Sequence, residues 1–303
     1  MQDMITTSFS ARTTASEILE GVDLTGRRAL VTGGASGLGA ATVQALADAG
    51  AQVTVATRNP DPASSAVRLD LSDLQSVKAF VQNWHTPLDI VVANAGVMAV
   101  PTRQVTAEGW ELQLATNFLG HFALVTGLRE HLRPGARVVV VSSGIQRQAP
   151  FDFEDPHFER RAYDPWSAYA QSKVADVLLA VGITRRTGVM ANALNPGYIH
   201  TNLQRHVDAQ TMRALGGMDE EGNLVTPDYY KTPEQGAATS VLLAASPLVE
   251  GVGGRYFEDN QELPVVKADA DGPGVAEWSV DPGAADRLWD YAASVVVRAW
   301  GGR

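Results

Sequence analysis

Arg28-Ala-Leu-Val-Thr-Gly33-Gly34-Ala-Ser-Gly37-Leu-Gly39 leads straight into Ala40-Ala-Thr-Val-Gln-Ala-Leu-Ala-Asp-Ala-Gly50. The first five residues form an apolar run of strand length, and the stretch Leu38–Ala49 reads as a helix stopped by Gly50. Between them lies a glycine-rich turn. Glycines let the chain fold back tightly and bring backbone N–H groups against a pyrophosphate, and the helix start adds partial positive charge. Gly33, Ala35, Ser36, Gly37 and Leu38 are therefore candidate nucleotide-binding residues.

Outward from this unit the pattern repeats. Strand-like runs occur at Arg28–Thr32, Gln52–Thr57, Val67–Asp70, Asp89–Asn94, Arg137–Ser142, Met190–Asn195 and Gly254–Phe257. They are short, valine-rich and apolar on both faces, as strands of a covered parallel sheet should be. Helical stretches separate them. Leu71–Trp84 is one. Trp110, Leu114, Phe118, Phe122 and Val125 form an apolar stripe, and Val174, Val177, Leu178 and Val181 form another. The order implies an α/β fold. We expect a single Rossmann-type, doubly wound domain over 27–303, with a parallel sheet of about seven strands flanked by helices. Only about eight residues separate the second and third strands, so the helix usual there is missing. Residues 1–26 read as an N-terminal packing arm, with a capping box at Thr14-Ala-Ser-Glu17. The irregular segments 146–165 and 199–231 both follow strands and are expected to be substrate loops, against the alternative of surface insertions.

Composition excludes several classes. The 303 residues are 45% hydrophobic, enough for one large domain. There are no cysteines, so disulfides, thiolate metal sites and cysteine nucleophiles drop out. His85, His121, His131, His157, His200 and His206 make no ligand cluster, and no metal is expected. The net charge of −10 carries no basic stripe, which argues against nucleic acid. No apolar run is long enough for a membrane span, and the start lacks the pattern of a signal peptide. A cytoplasmic protein is the simplest reading.

Three further features bear on chemistry. The second strand ends in Thr57-Arg58, where an acidic residue would grip the ribose hydroxyls of NAD. The Arg58 guanidinium can instead pair with a 2′-phosphate, which favours NADP(H) and leaves NAD(H) possible; otherwise it points to solvent. Ser36 sits in the middle of the glycine loop, so Arg58 is the one cation in view for that phosphate. Asp70 and Leu71 close the third strand and can serve the adenine, or Asp70 can cap the next helix. In Tyr169-Ala-Gln-Ser-Lys173, a phenol and an ammonium lie one above the other on a helix. The ammonium is expected to pull down a phenolic pKa that starts near ~10, giving a proton donor and acceptor usable near neutral pH.

Taken together these motifs resemble the short-chain dehydrogenase/reductase family. The glycine loop Thr32–Gly39 and Asn94-Ala-Gly96, with Ala93 where the family carries a first asparagine, are followed by Asn117 in Asn-Phe-Leu-Gly-His. Ser142-Ser143, Tyr169 with Lys173, and Pro196-Gly197 complete the order. The likeness is greater to the retinol-dehydrogenase-like and WW-domain-oxidoreductase-like branch. It rests on Thr13–Asp23, Ala168–Lys173, Ala191–Gly197, Gly254–Asp259 and the 26-residue step from Ser143 to Tyr169. No WW module is present.

The resemblance implies a catalytic tetrad of Asn117, Ser143, Tyr169 and Lys173. Ser143 would donate to the developing oxyanion, and Tyr169 would exchange the proton. Lys173 would tune Tyr169 and hold the nicotinamide ribose, and Asn117 would hold a water linking Lys173 to solvent. Ser142 could merely end its strand, and Asn117 could be an amide bonded to backbone. The resemblance also places Asn94, Ala95 and Gly96 along the adenine ribose. Pro196, Gly197 and Ile199 would stand behind the nicotinamide, and Thr201 near its amide or the phosphates.

Ile145, Gln146, Phe151, Phe153, Tyr163, Trp166, Leu203 and Met212 are the candidates for an apolar substrate pocket, with Tyr198 facing cofactor or substrate. The expected reaction interconverts a ketone or aldehyde and its alcohol on a small hydrophobic molecule. Alternatives are an NAD-dependent secondary-alcohol dehydrogenase, a lyase or epimerase using the cofactor transiently, and a non-catalytic nucleotide sensor. The two helix stripes are expected to pack on the sheet or to build a homodimer or homotetramer, unless the chain's own ends cover them.

Overall fold

The computed structural model describes residues 4–267 and 269–301. The first three residues of the expected arm and the last two of the expected domain lie outside the described residues. In chain order come α1 (Ala15–Ile18), β1 (Arg28–Thr32), α2 (Gly37–Asp48), β2 (Gln52–Thr57), β3 (Val67–Arg68), α3 (Leu74–Gln82) and β4 (Leu88–Ala93). Next are α4 (Leu112–Leu114) and α5 (Gly120–Gly127), joined by a π turn over Ala115–Leu119, then β5 (Leu132–Val141). They are followed by α6 (Pro165–Thr187), β6 (Met190–Asn195), α7 (Ala209–Ala214) and α8 (Pro233–Ala245). The chain closes with β7 (Tyr256–Glu258), β8 (Gln261–Glu262), β9 (Val265–Val266), β10 (Val275–Ala276) and α9 (Pro282–Trp300).

Eight strands form one sheet in the order β3-β2-β1-β4-β5-β6-β7-β8. The first seven pair in parallel, and β8 returns antiparallel to β7. The order reverses between β1 and β4, and that switch point opens a crevice at the carboxyl ends of the strands. Alternation along each strand supplies both faces. Leu30, Val91, Val138 and Val140 enter the core beneath α3, α5, α6 and α9. Ala29, Val31, Ile90, Val92 and Val139 enter the core beneath α1, α2 and α8.

Several boundaries differ from the sequence reading. β3 stops at Arg68, because Asp70 is drawn into a turn in which it accepts from the Ser72 N–H (3.0 Å) and hydroxyl (2.6 Å). The cap of α3 is therefore Asp73, which accepts from the Gln75 N–H at 2.9 Å. Residues 58–66 form no helix. The eighth strand was not foreseen. It is set by the two-residue turn Asp259-Asn260, at φ 52° and 66°, a hairpin geometry that Asn and Asp tolerate. The arm lies along β8: the Ile5 N–H donates to the Glu262 carboxylate (2.8 Å) and the Glu262 N–H to the Ile5 carbonyl (3.1 Å). It covers an edge that would otherwise present open backbone.

The long α6 is started by Asp164, which accepts from the Ser167 N–H at 2.7 Å, and is stopped by Gly188 at φ 75°. Its residues from Ala168 to Ile183 are buried on all sides. One side meets the sheet; the other is covered by α9, through Ala285, Leu288, Ala292 and Val295. Trp289 of α9 meets Phe122 of α5 edge-on at 4.9 Å. Of the alternatives left open in the sequence, the outer side of these helices is covered by the chain's own C-terminal helix. Among the described residues no helix is long and apolar enough to cross a membrane.

Candidate active site

A cleft of about 1010 Å³ runs along the carboxyl ends of the strands. Its walls include Gly33, Ala35, Ser36, Gly37 and Leu38 from the glycine loop, and Arg58, Asp70 and Leu71 from the ends of β2 and β3. Asn94, Ala95 and Gly96 follow β4, and Pro196, Gly197, Ile199 and Thr201 follow β6. Ser143, Tyr169 and Lys173 stand on the same wall system. Every residue proposed from the sequence to touch a nucleotide faces this one space. Asn117 does not: it is fully buried behind the wall.

The glycine loop packs too closely for side chains at two of its positions. Gly33 has φ 66°, and a Cβ there would come within 3.0 Å of the Ala95 backbone. A Cβ on Gly39 would lie 2.3 Å from the Gly33 carbonyl oxygen, so only glycine lets α2 approach the loop this closely. Ser36 precedes α2 in an extended conformation, and its side chain makes no capping hydrogen bond. The first N–H groups of a 12-residue helix are therefore left for an anion in the cleft.

A buried network holds this loop to the next strand. The Thr32 hydroxyl oxygen accepts from the N–H groups of Asn94 (2.9 Å) and Ala95 (3.0 Å). The same hydroxyl lies 2.9 Å from Nε2 of His121, whose Nδ1 lies 2.7 Å from the Asn117 carbonyl oxygen. A carbonyl only accepts, so Nδ1 carries the proton and Nε2 accepts from Thr32. Burial holds the His121 pKa down at about 4, which keeps the ring neutral as this pattern needs. The Asn94 amide donates to the Thr32 carbonyl at 2.8 Å.

Asn117 sits in the π turn between α4 and α5, an irregularity that rotates its side chain toward β4. Its Oδ1 accepts from the Val97 N–H (2.8 Å), and its Nδ2 donates to the Val97 carbonyl (3.0 Å) and to Ser172 Oγ (2.9 Å). With its amide and its carbonyl both engaged by protein groups, Asn117 fixes the loop after β4 against α6. These contacts match the alternative left open in the sequence, an amide bonded to backbone.

The two serines after β5 divide their work. Ser142 is buried, and its hydroxyl donates to the Lys173 carbonyl at 2.8 Å. Ser143 turns to the cleft, where its hydroxyl is near enough to the Tyr169 phenol to oppose in part the rise in its pKa. Lys173 Nζ lies 5.7 Å from the Tyr169 ring centre. It also donates to the Val141 carbonyl (2.9 Å) and to Oδ2 of Asp176 (2.7 Å).

Asp176 changes the electrostatics expected from the sequence. Lys173 does pull the Tyr169 pKa down, but burial, seconded by the negative charge of Asp176, raises it above its ordinary value. Asp176 is itself driven up, to about 7, by burial against the pull of Lys173. Its Oδ1 has no hydrogen-bond partner among the described residues. The Lys173 ammonium is held in its charged form by Asp176 and Tyr169 against the cost of burial.

The substrate end corrects the pocket drawn from the sequence. Ile145, Trp166 and Leu203 line the cleft, joined by Met98, Tyr198 and Leu215. Gln146 does not; it is fully buried, accepting from the Ala276 N–H (3.1 Å) and donating to the Gly274 carbonyl (3.3 Å) to pin the segment before α9. Phe151 belongs to the core, Phe153 packs edge-on against it at 4.8 Å, and Tyr163 donates to the Val100 carbonyl at 3.0 Å. Met212 is buried within the segment after β6. The expected loop 146–165 thus packs toward α9 and away from the cleft, as in the contact of His157 with the Tyr291 hydroxyl (2.7 Å). The other, 199–231, borders the cleft through Ile199, Thr201 and Leu203.

His121, Thr32 and Asp176 were passed over in the sequence. The available signal was an acid at i+3 from Lys173 within an apolar helix stretch, and a histidine at i+4 from Asn117.

Residues 27–212 match the family model described as short chain dehydrogenase. The chain is 62% identical over 294 residues to a "Probable oxidoreductase" of Streptomyces lividans, an alignment covering 91% of this chain and 99% of that one. It is 34% identical over 307 residues to retinol dehydrogenase 14 of Homo sapiens, covering 89% and 86%. Among solved structures, an uncharacterized protein from Mycobacterium paratuberculosis superposes with a TM-score of 0.71 at 30% identity, covering 94% of this chain and 97% of that one.

Proposed function

The chain belongs to the short-chain dehydrogenase family and is an NAD(P)-dependent oxidoreductase, and on that premise we propose that it interconverts hydrophobic ketones or aldehydes and their alcohols, with NADP(H) preferred and Tyr169 as the general acid and base. One observation carries the reading: Tyr169, Ser143 and Lys173 stand in the same cleft as the uncapped start of α2, beside an apolar recess. Bound there, a nicotinamide supplies or accepts the hydride.

The chain's own residues do the rest. The loop Gly33–Leu38 and the start of α2 hold the pyrophosphate. Asp70 and Leu71 hold the adenine, Asn94, Ala95 and Gly96 its ribose, and Arg58 the 2′-phosphate. Pro196, Gly197 and Ile199 back the nicotinamide, with Thr201 near its amide. Ser143 donates to the oxygen on which charge develops, and Tyr169 delivers the proton to that oxygen or removes it from the alcohol. Lys173 lowers the cost of the phenolate, against the opposing charge of Asp176. Asn117 is a positioning residue, acting through Val97 and Ser172. Ile145, Trp166, Met98, Leu203 and Leu215 exclude water and favour an apolar substrate. The retinol dehydrogenase among the relatives agrees with that preference by name.

The test is NADPH consumption with a panel of aliphatic and aromatic ketones and aldehydes, on the wild type and Tyr169→Phe. Turnover should fall by about a hundredfold or more in the variant, with nucleotide affinity held within about twofold. Equal turnover by both proteins would reject Tyr169 as the proton donor.

A further inference from the structure

Two guanidinium groups face the nucleotide end of the cleft, where the sequence offered one. Arg58 follows β2, and Arg205 lies in the 3-10 turn Asn202–His206 that follows β6; both line the same cleft, as do Asn59 and Gln204. The turn reaches that place by crossing the glycine loop: the Thr201 methyl group lies 3.2 Å from where a Cβ on Gly37 would be. Arg58 and Arg205 are near enough for the charge of Arg58 to lower the Arg205 pKa, in addition to burial.

Neither is neutralised by the protein. The chain carries 34 acidic and 24 basic residues, yet among the described residues neither arginine makes an ion pair. The hydrogen bond recorded for Arg205 is internal to its own turn, from Nη1 to the Asn202 carbonyl at 2.9 Å. Two unpaired like charges lining one cleft of an acidic protein repel each other, and an anion between them relieves that repulsion. A phosphate dianion satisfies both, and each guanidinium can meet it with two parallel N–H groups.

We propose that Arg205 is a specificity-determining residue: it forms, with Arg58, a two-guanidinium clamp on the 2′-phosphate of NADP(H). The clamp rests on the NADP(H) preference proposed above. It joins the end of β2 to the segment after β6 through the bound phosphate, so the turn Asn202–His206 reads the cofactor as well as bordering the substrate end.

The experiment is a fluorescence titration of NADPH and of NADH, on the wild type, Arg205→Met, Arg205→Lys and Arg58→Met. Thermal unfolding without nucleotide checks that the exposed Arg205 substitutions leave the fold intact. The clamp requires NADPH affinity to fall about tenfold or more in Arg205→Met, NADH affinity to stay within about twofold, and Arg205→Lys to lie between. Equal losses for both nucleotides would place Arg205 on the pyrophosphate or in a structural role and overturn the proposal. An unchanged NADPH affinity in Arg205→Met, with a loss in Arg58→Met, would also overturn it while leaving the NADP(H) preference standing on Arg58. If wild-type protein binds NADH as tightly as NADPH, the preference itself fails and the clamp with it.

Discussion

His121→Gln tests the buried network that joins the nucleotide loop to Asn117. The wild-type ring is 1% exposed, with Nδ1 donating to the Asn117 carbonyl (2.7 Å) and Nε2 accepting from Thr32 (2.9 Å). Its pKa is about 4 in the folded protein, against 6.5 for a free histidine, chiefly because burial disfavours the charged ring. The sign follows from proton binding. As pH falls below 6.5 the unfolded chain takes up a proton on this ring, and the folded protein refuses it until about pH 4. The stability contributed by the neutral ring is complete above pH 6.5 and is lost as pH falls toward 4. A shift of this size amounts to roughly 3 kcal/mol in full, and to about 2 kcal/mol of it by pH 5. With about 2.1 cal/mol/K of unfolding entropy per residue, 2 kcal/mol corresponds to roughly 3 °C in Tm for a chain of this length. Glutamine can replace the hydrogen bonds in part but does not titrate. His121→Gln should therefore be less stable than wild type at pH 8, by about 1 to 2 kcal/mol. That deficit should shrink or reverse by about 2 kcal/mol at pH 5. Chemical denaturation of both proteins at the two pH values measures it. A deficit constant within about 0.5 kcal/mol between pH 8 and pH 5 would show that His121 is not held neutral by its surroundings.

Three further expectations follow from named contacts. Asp176→Asn removes a negative charge that raises the Tyr169 pKa, so the limb of the pH–rate profile for alcohol oxidation that reports Tyr169 should move to lower pH; a limb that stays in place would separate Asp176 from the reaction. Asn260→Ala loses a buried amide that donates to the Ser10 carbonyl (2.8 Å) and accepts from Thr239 (3.1 Å), and puts alanine at φ 66°. It should cost about 2 to 4 kcal/mol by denaturation, and a loss below about 0.5 kcal/mol would show that these contacts do not hold the N-terminal arm to the β7–β8 turn. Because α9 covers the outer side of α5 and α6, Phe122→Cys and Leu178→Cys should not cross-link two copies under oxidation, and a disulfide-linked dimer of either variant would refute that coverage.

Legibility differed from element to element for physical reasons. The strands β1, β4 and β6 could be read within a residue because both of their faces are largely buried, which leaves a nearly continuous apolar run in the sequence. β3, two exposed residues at the sheet edge, left no such trace beyond its first positions. Gln146 looked like a pocket residue because it follows β5, where ligands gather. Its burial under Ala276 and Ser279 depends on a segment about 130 positions away in the chain. The loop 146–165 was misplaced for the same reason, since α9, which draws its aromatics inward, comes last in the chain.

The sequence by itself determined the parallel α/β sheet, the glycine-rich strand-to-helix turn and the placing of Tyr169 over Lys173. These depend on local rules: short apolar runs, glycine spacing and the pitch of a helix. The tertiary structure alone decided which charges act together. It set Asp176 against Lys173 at 2.7 Å in a buried space, so that burial and a second charge raise a phenol that one lysine was expected to lower. It turned the Asn117 amide inward to Val97, and it set Arg205 on the same cleft as Arg58, 147 residues earlier in the chain. A protonation state depends on every charge and every displaced water within a few ångströms, and sequence distance carries no record of that neighbourhood.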